Sequence, residues 1–243
     1  MLTRLLSLGC AAALLCVASL AGANENVVRK AFAEKFPDMP VQSVTKLPYL
    51  GLYEIVVAGP EIDILYADAK GEYLIDGNII SLTKMSNLTG ERKQKLSAIP
   101  FDELPFDMAF KRVKGKGERK MAVFSDPDCP WCRKLEGELA KLDNVTVYMF
   151  LYPLESLHAE APEIARKIWC SPDRLKAWDE YMSKKTLPSA NSTCANPVDK
   201  LVEFGRKNRI NGTPALIFAS GERVGGYIPA DQIEKRLDAK KAD

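Results

Sequence analysis

The stretch Met121-Ala122-Val123-Phe124-Ser125-Asp126-Pro127-Asp128-Cys129-Pro130-Trp131-Cys132 decides how this sequence reads. An apolar run gives way to a short polar turn and then to two cysteines separated by two residues. Leu135, Leu139 and Leu142 follow at helical spacing, with Arg133, Lys134, Glu136, Glu138 and Lys141 between them. The pattern predicts a strand, a tight turn and a helix that begins near Cys129. In that setting a C-x-x-C motif reads as a redox pair.

Position then assigns the chemistry. A thiolate, not a thiol, attacks a disulfide, so a reactive cysteine needs a lowered pKa. A helix N-terminus supplies this through unpaired backbone N–H groups and the positive end of its dipole. Pro130 suits the first helical turn, where no hydrogen bond is lost. Cys132 shares a stripe with Leu135, Leu139 and Leu142, so it is expected to face the core and to leave Cys129 at an exposed tip. Cys129 is then the attacking nucleophile, and Cys132 the resolving thiol that releases a stalled mixed disulfide. Trp131 reads either as a contact surface for unfolded chains or as packing. The competing readings of the motif are a zinc half-site and an inert local disulfide. Zinc usually takes four ligands, but no second C-x-x-C exists and His158 is the single histidine. No metal and no cofactor is expected. His158 itself reads as a solvated or capping residue.

The remaining composition sets the compartment. The chain has 243 residues and a net charge of +2, enough for one large domain or two small ones. Balanced charge implies no basic surface for nucleic acid. The run Lys111-Arg112-Val113-Lys114-Gly115-Lys116-Gly117 is expected to be a solvated loop. Residues 1–23 read as a cleaved secretory signal peptide: Arg4, an apolar run from Leu5 to Leu20, then Ala21-Gly22-Ala23 before Asn24. The run is short for an uncleaved anchor, and no basic stop-transfer cluster follows it. Cys10 and Cys16 leave with this leader. Cys129, Cys132, Cys170 and Cys194 remain, an even set that fits an oxidising compartment. Of the three possible pairings, spacing favours 129 with 132 and 170 with 194. Cys170 and Cys194 have no motif around them and read as a structural staple.

Along the mature chain, 24–84 read as a small α+β domain: an amphipathic helix over Asn26–Phe36, then short strands over Val41–Lys46, Leu52–Val57, Ile62–Ala67 and Glu72–Ile75. So small a unit with open strand edges calls for a partner, and dimerisation is expected. Residues 85–110 read as a linker, partly helical. Residues 111–243 carry strand, C-x-x-C helix, strand, a helical insert at about 155–200, helix, strand, strand and helix.

Cys129-Pro130-Trp131-Cys132 after a strand, with Thr213-Pro214 before a later strand, resembles the thioredoxin fold. The whole mature chain resembles the periplasmic thiol:disulfide interchange proteins of the DsbC/DsbG family. Val123-Phe124-Ser125-Asp126, Ile168-Trp169-Cys170 and Gly212-Thr213-Pro214-Ala215 carry the likeness. The resemblance implies an α/β thioredoxin fold with a helical insert behind an α+β dimerisation domain, with Pro214 in the cis form against the active-site cysteines. Pro130, Trp131, Thr213 and Pro214 become supports of the site. It further implies a periplasmic homodimer with disulfide isomerase activity, chaperone-like holding of misfolded exported clients, and a membrane reductant of the DsbD type. Two departures bear on the chemistry. Pro130-Trp131 replaces the Gly-Tyr common in the DsbC branch, which leaves a DsbG-like reductase of oxidised single cysteines, a net thiol oxidase and a non-redox holdase as alternatives. Val123 stands where thioredoxin carries a buried aspartate, so another group or water must accept the proton.

Overall fold

The computed structural model describes residues 24–239; the expected leader, residues 1–23, lies outside the described residues. The chain divides into two compact units between Leu96 and Ser97.

In the first unit, residues 24–35 form helix α1. Strands β1 (Val41–Lys46), β2 (Tyr53–Ala58), β3 (Ile62–Ala67) and β4 (Leu74–Asp76) make an antiparallel sheet in that order. Side chains alternate across a strand, so β2 serves two cores at once. Tyr53, Ile55 and Val57 pack with Val28 and Phe32 of α1, while Val56 packs with Ile62, Ile64 and Tyr66 on the other face. A two-stranded pair, β5 (Ile80–Ser81) and β6 (Ser86–Asn87), leads into α2 (Leu88–Ser97). Asp76-Gly77 therefore does not fold β4 back on itself; the chain moves on to a new pair. Thr89 of α2 is buried, and its hydroxyl bonds Tyr66 and accepts from the Ile79 N–H at 2.9 Å. Arg92 pairs with the buried Glu54 at 3.0 Å, and Lys93 with Asp63 at 2.6 Å. These contacts fasten α2 to the sheet.

The second unit is built on β7 (Phe110–Lys114), β8 (Arg119–Ser125), β9 (Val145–Leu151), β10 (Ala215–Phe218) and β11 (Arg223–Gly225). The strand order is β11-β10-β8-β9-β7, with β8 and β9 parallel and every other pair antiparallel. Helices α3 (Pro130–Leu139), α4 (Ala161–Cys170), α5 (Arg174–Lys184), α6 (Val198–Lys207) and α7 (Ala230–Leu237) cover the sheet. Central β8 is buried on both faces. Met121 and Val123 join the core shared with α3, α4, α5 and α7, and Ala122 and Phe124 join the one that takes in Leu201 of α6. This is the thioredoxin arrangement, in which the parallel β8–α3–β9 crossover puts the C-x-x-C motif at the end of the central strand.

The basic run from Lys111 departs from expectation. It is not a loop: Phe110–Lys114 is the edge strand β7, paired residue for residue with β9, and only the turn after it is irregular. Phe110 points into the core. The Arg112 guanidinium is held by Glu136 of α3 and Asp179 of α5, and Trp178 donates its indole N–H to the same Glu136 at 2.9 Å. Lysines on the outside of an edge strand also discourage pairing with another chain. The long helical stretch before the disulfide breaks into α4 and α5 at Ser171-Pro172-Asp173. Pro172 cannot continue a helix, and Asp173 caps α5 by accepting from the Lys176 N–H at 3.0 Å.

Cys170, the last residue of α4, is bonded to Cys194 in the loop before α6, across a sequence separation of 24. Loop-closure entropy makes such a crosslink worth about 3 kcal/mol. The double variant Cys170→Ser/Cys194→Ser should lose that amount in urea unfolding of otherwise reduced protein compared with the chain keeping this bond. An unchanged midpoint would show that the bond does not constrain the unfolded chain.

Candidate active site

The site grows from the turn that ends β8. Asp126 is fully buried there. One of its oxygens accepts from the Asp128 N–H at 2.7 Å; the other accepts from the Leu154 N–H at 2.7 Å and meets His158 Nδ1 at 3.0 Å. A buried carboxylate needs such partners. In making them it closes the turn and ties it to the segment after β9. The Cys129 N–H then donates to the Asp126 carbonyl at 3.2 Å. His158 is therefore a partner of the active-site turn, not a solvated residue. Nothing local reveals this, because its partner lies 32 residues away in sequence.

Cys129 is the N-cap of α3, with extended backbone (φ −69°, ψ 122°), and Pro130 opens the helix. Cys132, Leu135 and Leu139 form its buried stripe. Both thiols are free. Cys132 is fully buried, as its stripe requires, but Cys129 is not the exposed tip that helical spacing implied: only 5% of it is accessible. The reason is long-range. The loop before β10 lies over it, and the Cys129 thiol donates to the Thr213 carbonyl at 3.3 Å. Thr213–Pro214 is a cis peptide bond, and the Pro214 carbonyl is held by the Gly226 N–H at 2.7 Å. The Thr213 hydroxyl is buried with no partner.

The two sulfurs titrate apart. A hydrogen bond from Cys132 is the largest influence on Cys129. It outweighs burial, and with the backbone N–H groups of Trp131 and Cys132 it brings the Cys129 thiol down to about 5. Burial pushes the Cys132 thiol far up, and the neighbouring Cys129 pushes it the same way. The Asp126 N–H lies 3.4 Å from the Cys132 sulfur. Val123, where thioredoxin has its acid, is fully buried. The nearby buried carboxylate is Asp126, whose oxygens already serve the turn.

Beside the thiols lies an open aromatic surface. Trp131 is 55% exposed. Its ring centroid is 6.2 Å from that of Tyr227, and the Lys134 ammonium sits 5.3 Å from the first ring and 4.4 Å from the second. Tyr227 donates to Glu138 at 3.0 Å, which fixes the patch on α3. The structure thus brings Cys129, Cys132, Pro130, Trp131, Thr213 and Pro214 together, while Cys170 and Cys194 are bonded to each other. Among the described residues, no cluster of three or more His, Cys, Asp or Glu is placed to hold a metal ion.

The lowered thiol has a consequence for stability. The ordinary cysteine value, near 8.5, holds in the unfolded chain. Because the folded value is lower, the ionised Cys129 sulfur stabilises the folded reduced chain fully above about pH 8.5, and the contribution is lost as pH falls through about 5. Cys132 stays protonated in the folded state, and its ionisation in the unfolded chain is common to wild type and a Cys129→Ser variant and cancels in their difference. The unfolding free energy of reduced wild type minus that of reduced Cys129→Ser should therefore shrink steadily from pH 8.5 to 5 and level off below. A pH-independent difference in urea melts would contradict the shift.

Comparison with known proteins agrees with this geometry. The family pattern for a thioredoxin-like domain matches residues 106–241, and that for the disulfide bond isomerase protein N-terminal domain matches residues 19–90. A probable thiol:disulfide interchange protein DsbC from Bordetella pertussis is 41% identical over 212 residues, covering 87% of this chain and 74% of the relative. The thiol:disulfide interchange protein DsbC of Escherichia coli is 28% identical over 181 residues, 72% of this chain and 73% of that one. A solved disulfide interchange protein from Neisseria gonorrhoeae matches with a TM-score of 0.54 and 43% identity, over 58% of this chain and all of that one. The chain belongs to the DsbC family of thiol:disulfide interchange proteins.

Proposed function

We propose that this protein is a periplasmic disulfide isomerase. The observation that carries the reading is the asymmetry of the two thiols: Cys129 ionised near neutral pH, Cys132 held protonated one helical turn further on. The Cys129 thiolate attacks one sulfur of a wrong client disulfide. A new S–S bond forms, and the other client sulfur leaves as a thiolate. A second client thiolate then attacks the client sulfur of the mixed disulfide, which re-pairs the client and returns the Cys129 thiolate, whereas attack by the first only restores the original bond. When neither does so, Cys132 gives up its proton and attacks Cys129, which releases reduced client and leaves the Cys129–Cys132 disulfide. A membrane reductant of the DsbD type would restore that pair. Trp131, Tyr227 and Lys134 offer a surface on which unfolded client segments are held beside the nucleophile.

The first unit supports a homodimer. β4 is a sheet edge, and Leu74 and Ile75 on it are exposed together with Ile80, Leu82 and Met85 just beyond. Open edges bearing apolar side chains pair readily with another chain.

A second reading, a net oxidase, is favoured by one observation. A thiolate as stable as Cys129 stabilises the reduced protein and so makes its disulfide a stronger oxidant. Trapping the thiols in growing cells separates the two: a reduced pair fits isomerase or reductase, and an oxidised pair fits a disulfide donor.

The isomerase reading is tested with a scrambled multi-disulfide protein in a glutathione buffer. Wild type should restore activity to it at least tenfold faster than Cys129→Ala, on the order expected for loss of a nucleophile. Cys132→Ala should retain part of the rate and accumulate mixed disulfide. Equal rates for wild type and Cys129→Ala would sink the proposal, and aggregation suppression surviving loss of both thiols would favour a holdase.

A further inference from the structure

Asp128 immediately precedes the nucleophile, and a nearby carboxylate disfavours a thiolate. Its side chain is 20% exposed and accepts from the Tyr181 hydroxyl at 2.7 Å and from the Lys185 ammonium. The same ammonium lies 3.2 Å from the Tyr181 oxygen, 3.5 Å from the Pro127 carbonyl oxygen and 4.4 Å from the centre of the Tyr181 ring. Burial raises the Asp128 carboxyl, but the bonds from Lys185 and Tyr181 and the Lys185 charge outweigh it and hold the group below the usual carboxylate range. Asp128 is therefore an anion at neutral pH. Burial, followed by the bond to Asp128, pushes the Tyr181 phenol up, so it stays a neutral donor.

The backbone at Lys185 is a second, independent observation. This residue caps α5 in the left-handed region, with φ 56° and ψ 26°. Glycine, and less often asparagine, is the residue that takes this conformation without penalty. A lysine there gains nothing from its own backbone; what it gains is reach, since its side chain runs back to the turn that carries Cys129.

We propose that Lys185 is a positioning residue for the nucleophile: its ammonium neutralises Asp128, so that the N-terminus of α3 rather than the adjoining carboxylate governs the charge on Cys129. This rests on the reading of Cys129 as the nucleophile. The titratable and charged groups that act on Asp128 are Lys185 at the cap of α5, Tyr181 of α5 and His158 from the segment after β9, with Asp126 bonded to its N–H and Arg133 of α3 and Glu160 acting on Tyr181. Of these, Lys185 is the cation in hydrogen-bond contact with the Asp128 carboxylate.

The experiment follows the rate of iodoacetamide alkylation against pH in the full-length reduced protein, with the modified cysteine mapped by mass spectrometry. Lys185→Met should raise the midpoint for Cys129 by about half a pH unit or more, and Asp128→Asn should lower it. The double variant should return close to wild type, and Lys185→Arg should stay there. Lys185→Gly relieves the left-handed backbone while removing the ammonium, so it folds and should still show the raised midpoint. Single variants that shift the same way, midpoints that do not move, or a double variant that fails to return would overturn the proposal. Cys129 alkylated first with unmoved midpoints overturns this proposal alone; Cys132 alkylated first overturns the nucleophile assignment as well.

Discussion

At the start of α3, the backbone N–H groups of Trp131 and Cys132 point at the sulfur of Cys129, and the Cys132 thiol adds its own bond. These donors stabilise a negative charge in a place that water scarcely reaches. Moving a charge out of water is costly unless donors replace the water. Much of the second unit answers that requirement. The parallel pair β8 and β9 sets the origin of α3, Asp126 closes the turn before it, and the loop at Thr213–Pro214 covers it from the other side. Asp126 follows directly from β8, whereas the Thr213 loop arrives from 84 residues beyond Cys129.

The burial of Cys129 follows from the same arrangement. Cys129 is 5% exposed because the helix start lies on one side of its sulfur and the Thr213 carbonyl, 3.3 Å away, on the other. Exposed Trp131 and Lys134, with half-buried Tyr227 between them, present apolar area and a cation beside that sulfur.

What the sequence discloses is what local pattern encodes. The strand–turn–helix around Cys129, the stripe of Cys132 and the leucines, and the strands Val41–Lys46 and Ile62–Ala67 follow from periods of two and 3.6. Three features escaped because their causes are distant. β7 is hidden under charge: Arg112 looks like a solvent residue until Glu136 and Asp179 close on it from two helices. His158 is explained only by Asp126, and the burial of Cys129 only by Thr213. In each case one polar group is satisfied by another far along the chain, and periodicity carries no record of such pairings.

The Cys170–Cys194 bond has a bearing on how the protein comes into being. Forming this bond takes an oxidant, and two further cysteines, Cys129 and Cys132, must be carried through that step unpaired with it. The order of the cysteines lessens the hazard. Among the described residues Cys129 and Cys132 come first along the chain, then Cys170, then Cys194. Joining them in that order produces the native bond and no crossed one. Order along the chain is by itself enough to specify the partner of each cysteine in the bond observed.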